Sequence, residues 1–407
     1  MKILVLNAGS SSQKSCLYEI TGETLPEEPL KPIWEGKVDW SHEQGFAEIE
    51  VKTAKGEKLQ EKIPTDSRPR IIAHMLDMMC NGSTQVISQP SEIDVVGHRV
   101  VHGGQEYRES VVITEDVKKA IARLASLAPT HNPANLEGIK AIEKHWGSLT
   151  QVAVFDTAFH SHLPDAAAIY PGPYEWVEQG IRRYGFHGIS HQYCSHRAAR
   201  ILGRDLASLR LITCHLGNGC SLAAVKNGRS IDTTMGFTPL DGLMMGSRSG
   251  AVDPGILIHL LRQPDYSVDK LDYVLNHASG LHGISGISND MRQIREAILQ
   301  GNSRAQLALD IYVHRLQFYI GGMLASLGGL DALVFTAGVG ENAPEIRAAA
   351  SEAFGFLGLK IDHEKNTHKP VDVDIATPDS TVRVLVIHTE EDWEIACECW
   401  RLLKQSD

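Results

Sequence analysis

Two stretches of this chain, about 200 residues apart, follow one plan: an apolar strand breaks into small polar residues and then returns as a second strand. In the first, Ile3-Leu4-Val5-Leu6 runs into Asn7-Ala8-Gly9-Ser10-Ser11-Ser12, then Lys14 and an alternating segment. In the second, Leu209 to Cys214 leads into His215-Leu216-Gly217-Asn218-Gly219 and returns through Leu222 to Val225 to an Asn227-Gly228 hairpin turn. Residues of this size leave backbone N–H groups and hydroxyls accessible, which is what a phosphate needs. An idle hairpin would account for either stretch alone. Their repetition predicts a duplicated fold that grips one phosphate chain from both sides. Lys14 has no glycine before it and is followed by strand-like residues, so this is not the helix-opening phosphate loop of common nucleotide-binding proteins.

At 407 residues the chain exceeds what a single core usually supports, and two domains are expected. Apolar residues make up 43% and charged residues 22%, as in ordinary globular proteins. No apolar run is long enough for a membrane span and no signal-peptide pattern opens the chain, so a cytoplasmic protein without membrane partners is expected. Seven cysteines without C-x-x-C spacing read as reduced thiols. A net charge of −11 argues against nucleic acid but leaves room for a small anion held by local arginines. Most of the 19 histidines must be surface or core residues.

In chain order, residues 15–66 read as further strands and Arg70 to Met79 as a helix. The strand Ile93 to Arg99 ends in Arg99-Val100-Val101-His102-Gly103-Gly104, where open α/β sheets collect ligands. Arg99 is a ligand cation or one half of a structural salt bridge. Thr114 caps a helix reaching Leu127, residues 128–135 form a loop, and a helix resumes at Asn135. The apolar strand Gln151 to Phe155 delivers Asp156, a site carboxylate or a helix cap. Composition changes near Pro171 to Pro173. Arg182 to His191 gathers two arginines and two histidines, too few ligands for a metal site, which leaves an anion-facing His187 or a core histidine. Residues 231–250 read as an ordered loop lining a cleft, with Arg248 as its cation. Helices follow over Asp253 to Leu261, Val268 to Leu275, Gln293 to Leu299 and Ala305 to Leu327. The strand Ala332 to Thr336 meets a Gly338-Val339-Gly340 turn suited to a nucleotide. After a last strand, Val382 to Ile387, Thr389 and Asp392 form a capping box, and Trp393, Ala396, Trp400 and Leu403 share one helical face, expected to return to the first domain.

Taken together, Asn7 to Lys14, Arg99 to Gly104, His131-Asn132-Pro133-Ala134-Asn135, Asp156 to His160, Arg183 to His191, His215 to Gly219 and Gly338-Val339-Gly340-Glu341-Asn342 resemble the motif series of the acetate kinase family. They occur in order along essentially the whole chain. The resemblance implies two duplicated ribonuclease H-like α/β domains of the actin-like ATPase superfamily around a cleft, with domains at 1–157 plus 390–407 and at 158–389. It implies reversible transfer of the ATP γ-phosphoryl group to acetate, giving acetyl phosphate and ADP, with Mg²⁺ (or Mn²⁺), in a homodimer. By the same resemblance, Asn7 and Glu391 attend the metal, and Lys14, His215, Leu216, Gly217, Asn218, Gly219, Asp290, Met291, Arg292, Gly338, Val339, Gly340, Glu341 and Asn342 bind the nucleotide. Arg99 and Arg248 flank acetate and the phosphoryl group, His187 stabilises the transition state, His131 contacts an anion, and Asp156 is the catalytic acidic residue.

Acetate is already ionised at neutral pH and needs no base, so Asp156 is better cast as an orienter of Arg99, of Arg248 or of metal-bound water, in a direct in-line transfer. Val101, Thr130, Phe186 and Pro239 should wall the acyl pocket. Thr130 stands where the family usually has leucine, Ala251 where an acidic residue is common, and Glu390 where asparagine is common. The alternatives are a propionate or butyrate kinase, or a nucleotide-switched binding protein of the chaperone or actin type.

Overall fold

A computed structural model describes residues 1–9, 12–40, 45–65 and 67–404. Ser10 and Ser11, read above as part of the first phosphate loop, lie outside the described residues. The chain divides into two compact units, Met1–Ala158 with Glu390–Asp407, and Phe159–Thr389.

In the first unit the strands are β1 (Lys2–Ala8), β2 (Ser12–Glu19), β3 (Trp34–Asp39), β4 (Phe46–Thr53), β5 (Lys58–Pro64), β6 (Val95–Val100), β7 (Val111–Val112) and β8 (Gln151–Phe155). They form one sheet in the order β5-β4-β3-β2-β1-β6-β8-β7. β1 runs antiparallel to β2, pairing Asn7 with Lys14, and parallel to β6. The central strands are mostly apolar and largely buried, as parallel strands covered on both faces must be. On one face, the helices Arg68–Asp77 and Asn132–Trp146 bury Met75, Leu76 and Ile142 against Leu4, Trp34 and Val96. Side chains alternate along a strand, so Gly97 faces the other way. There the C-terminal helix Glu391–Lys404 packs so closely that a Cβ on Gly97 would lie 2.6 Å from Cys399 Sγ and 2.8 Å from Ile395.

In the second unit β9 (Arg210–Leu216), β10 (Cys220–Lys226), β11 (Arg229–Thr233), β12 (Ala332–Thr336), β13 (Val373–Asp374) and β14 (Arg383–Val386) form a sheet in the order β11-β10-β9-β12-β14-β13. Asn227 and Gly228 both take positive φ, 54° and 73°, in the hairpin between β10 and β11. Read from the inside, β3-β2-β1-β6-β8 and β11-β10-β9-β12-β14 are one five-strand pattern used twice, with the first strand antiparallel to the second and parallel to the fourth. This is the duplicated ribonuclease H-like arrangement.

Some local expectations differ from the structure. The helix expected from Asn135 starts at Asn132, because Pro133 has no N–H to lose in a first turn. The helix expected from Gln293 starts at Met291, with Asp290 as its cap. Residues 337–342 are not an open glycine turn but a short helix, entered through Ala337 at φ 64°. Residues 231–233 belong to β11. The capping box of Thr389 and Asp392 is not formed: the threonine hydroxyl meets Ser190 Oγ at 3.0 Å, and the carboxylate accepts from Asn7. No helix among the described residues is long and apolar enough to cross a membrane, and no disulfide joins the cysteines.

Candidate functional site

The first unit builds its constellation from strand ends. β6 and β8 are parallel neighbours, so Arg99, near the end of one, meets Asp156, one residue past the end of the other. Arg99 donates from Nε at 3.1 Å and from Nη2 at 2.6 Å to Asp156 Oδ2, and from Nη1 at 3.3 Å to Asn7 Oδ1 on β1. Asn7 Nδ2 donates in turn to Asp392 Oδ1 at 2.8 Å. Burial works against the Arg99 charge, but Asp156, Glu391 and Asp392 outweigh it and hold its pKa above the ordinary arginine value. Burial, reinforced by Asp392, keeps the Cys16 thiol protonated. Lys14 is exposed on β2, across from Asn7.

Beside the Arg99–Asp156 pair, Asn7, Glu391 and Asp392 offer an amide oxygen and two carboxylates, the hard oxygen donors that Mg²⁺ accepts. No group of three His, Cys, Asp or Glu side chains suited to a metal occurs among the described residues, so a cation here would complete its shell with water or phosphate oxygens.

Behind Arg99, two buried asparagines fasten the glycine-containing turn. Asn135 Oδ1 accepts from the Val101 N–H, and Asn132 both accepts from the His102 N–H and donates to its carbonyl, all at 3.1 Å. His131 stands at the N-terminus of that helix, its Nδ1 2.8 Å from Thr130 Oγ1. Val101 is buried. Thr130 is exposed and opens onto a groove between the helices Arg68–Asp77 and Asn132–Trp146.

The second unit uses imidazoles and glycines. His187 sits at φ 56°, just before the helix Gly188–Leu202, and its ring stacks on His215 with centroids 4.1 Å apart. His187 Nδ1 lies 2.9 Å from Ser221 Oγ. That hydroxyl lies 2.8 Å from Nε2 of the fully buried His191, whose Nδ1 meets Thr213 Oγ1 at 2.7 Å. Burial drives the His191 pKa well below the usual value, leaving a neutral ring. His215 Nδ1 is held by Ser190 Oγ at 2.8 Å. A Cβ on Gly219 would lie 3.4 Å from both Arg248 Nη1 and His187 Cε1, so this glycine marks where cation and imidazole converge. Arg248 Nη1 also donates to the Pro239 carbonyl at 3.3 Å, and burial lowers its pKa. Phe186 is fully buried.

A cavity of about 690 Å³ gathers Gly217, Asn218, Asp290, Met291, Arg292, Gly338, Val339 and Asn342. Three segments expected at a nucleotide thus share one concavity. His215, Leu216, Gly219, Gly340 and Glu341 do not line it. Leu216 is a buried strand residue, and Glu341 turns to His388 Nδ1 at 2.6 Å and to the Thr389 N–H at 3.2 Å. The Asp290 carboxylate caps its helix and pairs with Arg292.

Sequence reasoning passed over Asn132, Asn135, Ser221 and Asp392. The asparagines stood inside the His131–Asn135 motif, which read as a loop leading into a helix. Ser221 carried no signal and Asp392 read as a helix cap, because what matters is their partner from a distant segment.

The model of the Acetokinase family matches residues 2–397. An acetate kinase of Nostoc sp. is 74% identical over 405 residues, covering 100% of both chains, and that of Gloeobacter violaceus is 65% identical, also covering 100% of both. Among solved structures, acetate kinase from Porphyromonas gingivalis superposes with a TM-score of 0.90 at 40% identity, covering 99% of both chains. A propionate kinase from Francisella tularensis superposes with a TM-score of 0.88 at 39% identity, covering 98% of each.

Proposed function

The chain belongs to the acetokinase family, and we propose that it transfers the γ-phosphoryl group of ATP reversibly to acetate, giving acetyl phosphate and ADP. A carboxylate oxygen of acetate attacks the γ-phosphorus in line, and the bond to the β–γ bridging oxygen breaks, its electron pair leaving with ADP. No proton has to move. The observation that carries this reading is the Arg99–Asp156 pair: Oδ2 of the carboxylate directly after β8 is engaged by two guanidinium N–H groups, which suits an orienter and not a base.

Bringing two anions together is an electrostatic problem, answered by fixed donors in a protected site. Arg99, steered by Asp156 and Asn7, binds the acetate carboxylate. Arg248 and His187, converging on Gly219, hold the transferring phosphoryl group. The cavity lined by Gly217, Asp290 and Gly338 takes the nucleotide, whose phosphates face the Gly217–Gly219 turn. Lys14 and His131 add donors to the anions. Asn7, Glu391 and Asp392 would hold Mg²⁺, or Mn²⁺ in its place, which when bound neutralises phosphate charge. Val101, Thr130, Phe186 and Pro239 are the residues proposed to bound the acyl group.

Exposed Ile256, Ile258 and Phe318 support a homodimer joined through these helices. We also assign the protein to the cytoplasm, with its thiols reduced.

Trapping the acyl phosphate with hydroxylamine tests the reaction. ADP release is expected only with acetate present and only with a divalent cation; ADP release indifferent to acetate would overturn the reading in favour of a nucleotide switch. Running acetate beside propionate measures the pocket, since one methylene is worth about 1–3 kcal/mol.

A further inference from the structure

The segment Arg183-Tyr184-Gly185-Phe186-His187 opens on an arginine to which the reaction described above gives no task. Arg183 Nη1 donates to the carbonyls of Thr234 at 2.8 Å and Met235 at 3.1 Å, and pairs with Asp241 Oδ2 at 3.3 Å. The guanidinium lies 5.6 Å from the ring centre of Tyr170. The Tyr170 hydroxyl accepts from the Phe237 N–H at 2.9 Å and donates to the same Asp241 Oδ2 at 3.5 Å. Three side chains from three segments of the second unit thus close on residues 234–241 from both ends.

Pro239 lies within the stretch they close, and its carbonyl accepts from Arg248. The chain between β11 and the helix Pro254–Leu261 is a loop, so its shape depends on such ties and not on a regular ladder. Gly236 makes room for them: a Cβ there would run into the Tyr170 hydroxyl and lie 2.5 Å from Asp241 Oδ2. The Gly236 carbonyl also accepts from the Tyr184 N–H at 3.0 Å, which joins the loop to the segment carrying Phe186. Phe186 and Pro239, the two pocket walls of this unit, are therefore held on one frame. An ion pair kept for fold stability alone has no need to converge on a loop that holds both a pocket wall and an acceptor of Arg248.

We infer that Arg183, Tyr170 and Asp241 are positioning residues that set the length of the acyl pocket. By fixing Pro239 against Phe186 they decide how much room lies beyond the methyl group of acetate, and so the preference among short carboxylic acids. The inference rests on the acetate reaction proposed above. A fitted pocket discriminates one methylene by about 10–200-fold, and only if its wall does not yield.

Initial rates of acyl-phosphate formation with acetate and with propionate, read by hydroxylamine trapping, test it. Tyr170→Phe keeps the ring beside Arg183 and removes the hydroxyl; Asp241→Asn removes the charge. In each, the ratio of kcat/KM for acetate over propionate should shift toward the longer acid by about threefold or more, with the KM for ATP within about twofold. The double variant should shift it little further, because hydroxyl and guanidinium meet at one carboxylate oxygen. If Tyr170→Phe does not fold, Arg183→Lys, which keeps the charge and loses the fork, should shift the ratio the same way. Lost stability lowers the active fraction for both acids alike, so active variants with the wild-type ratio overturn this inference alone. A wild-type chain that phosphorylates neither acid overturns the functional reading and the inference with it.

Discussion

The two units carry the same five-strand order and the same strand-loop-strand opening, yet they spend those positions on different chemistry. In the first, the strand ends carry formal charges: Arg99, Asp156 and Asp392 meet around Asn7, and each charge has a partner within hydrogen-bonding distance. In the second, the equivalent hairpin is surrounded by imidazoles and hydroxyls with one cation, Arg248, approaching Gly219, where a side chain would intrude. A sheet topology therefore supplies positions and not functions. An ionic cluster suits capture of a carboxylate beside a cation, whereas backbone N–H groups and imidazoles suit a phosphate chain.

The contrast breaks most visibly in the first unit. Arg99→Ala and Asp156→Asn are each expected to lower kcat by about 10³-fold, and the double variant by little more, because residues that act as a unit are not additive. Steady-state kinetics with acetyl-phosphate trapping reads this out, and independent, multiplying losses would mean that Asp156 has a role apart from Arg99.

Acid should unfold both units by one mechanism. Burial depresses the pKa of His98 in the first unit and of His160 in the second to about 4. The unfolded chain then binds more protons below the ordinary histidine value. Stability is fully present above about pH 6.5 and is lost as pH falls toward 4, by about 3 kcal/mol per histidine. Calorimetric Tm against pH measures it, and His98→Gln, which can still meet Gln151, should flatten the slope in that window.

Gly97→Ala tests packing instead of chemistry. Its methyl collides with Cys399 Sγ and Ile395, so a loss of about 1–3 kcal/mol is expected, seen as a lower urea midpoint. The smallest effect belongs to the second unit. Ser221→Ala removes the hydroxyl between His187 and His191, and kcat should fall about tenfold with the KM for ATP unchanged. A shift in that KM with kcat intact would mean that the hydroxyl serves nucleotide binding instead of ring orientation.

Much of the site was legible because its residues follow apolar strands directly. Arg99, Asp156 and the His215 to Gly219 turn each stand where a buried run stops, and burial is written in local composition. Element starts were less legible. Asn132 and Met291 begin helices two or three residues before the periodic pattern declares them, since first-turn residues need not be apolar. The misjudged Asp392 shows the limit: at the third position of a helix it has the form of a capping residue, and a strand 385 positions away in sequence decides otherwise.

What the sequence determined alone is the alternation of buried strands with small-residue turns, its duplication, and the identity of the charged groups at the strand ends. Those follow from hydrophobic patterning and side-chain size, which act between near neighbours. Tertiary structure decided which group answers which: Arg99 with Asp156, Asn7 with Asp392, His187 with Ser221. Partnership across hundreds of residues is a matter of distance and desolvation in three dimensions, and no local pattern encodes it.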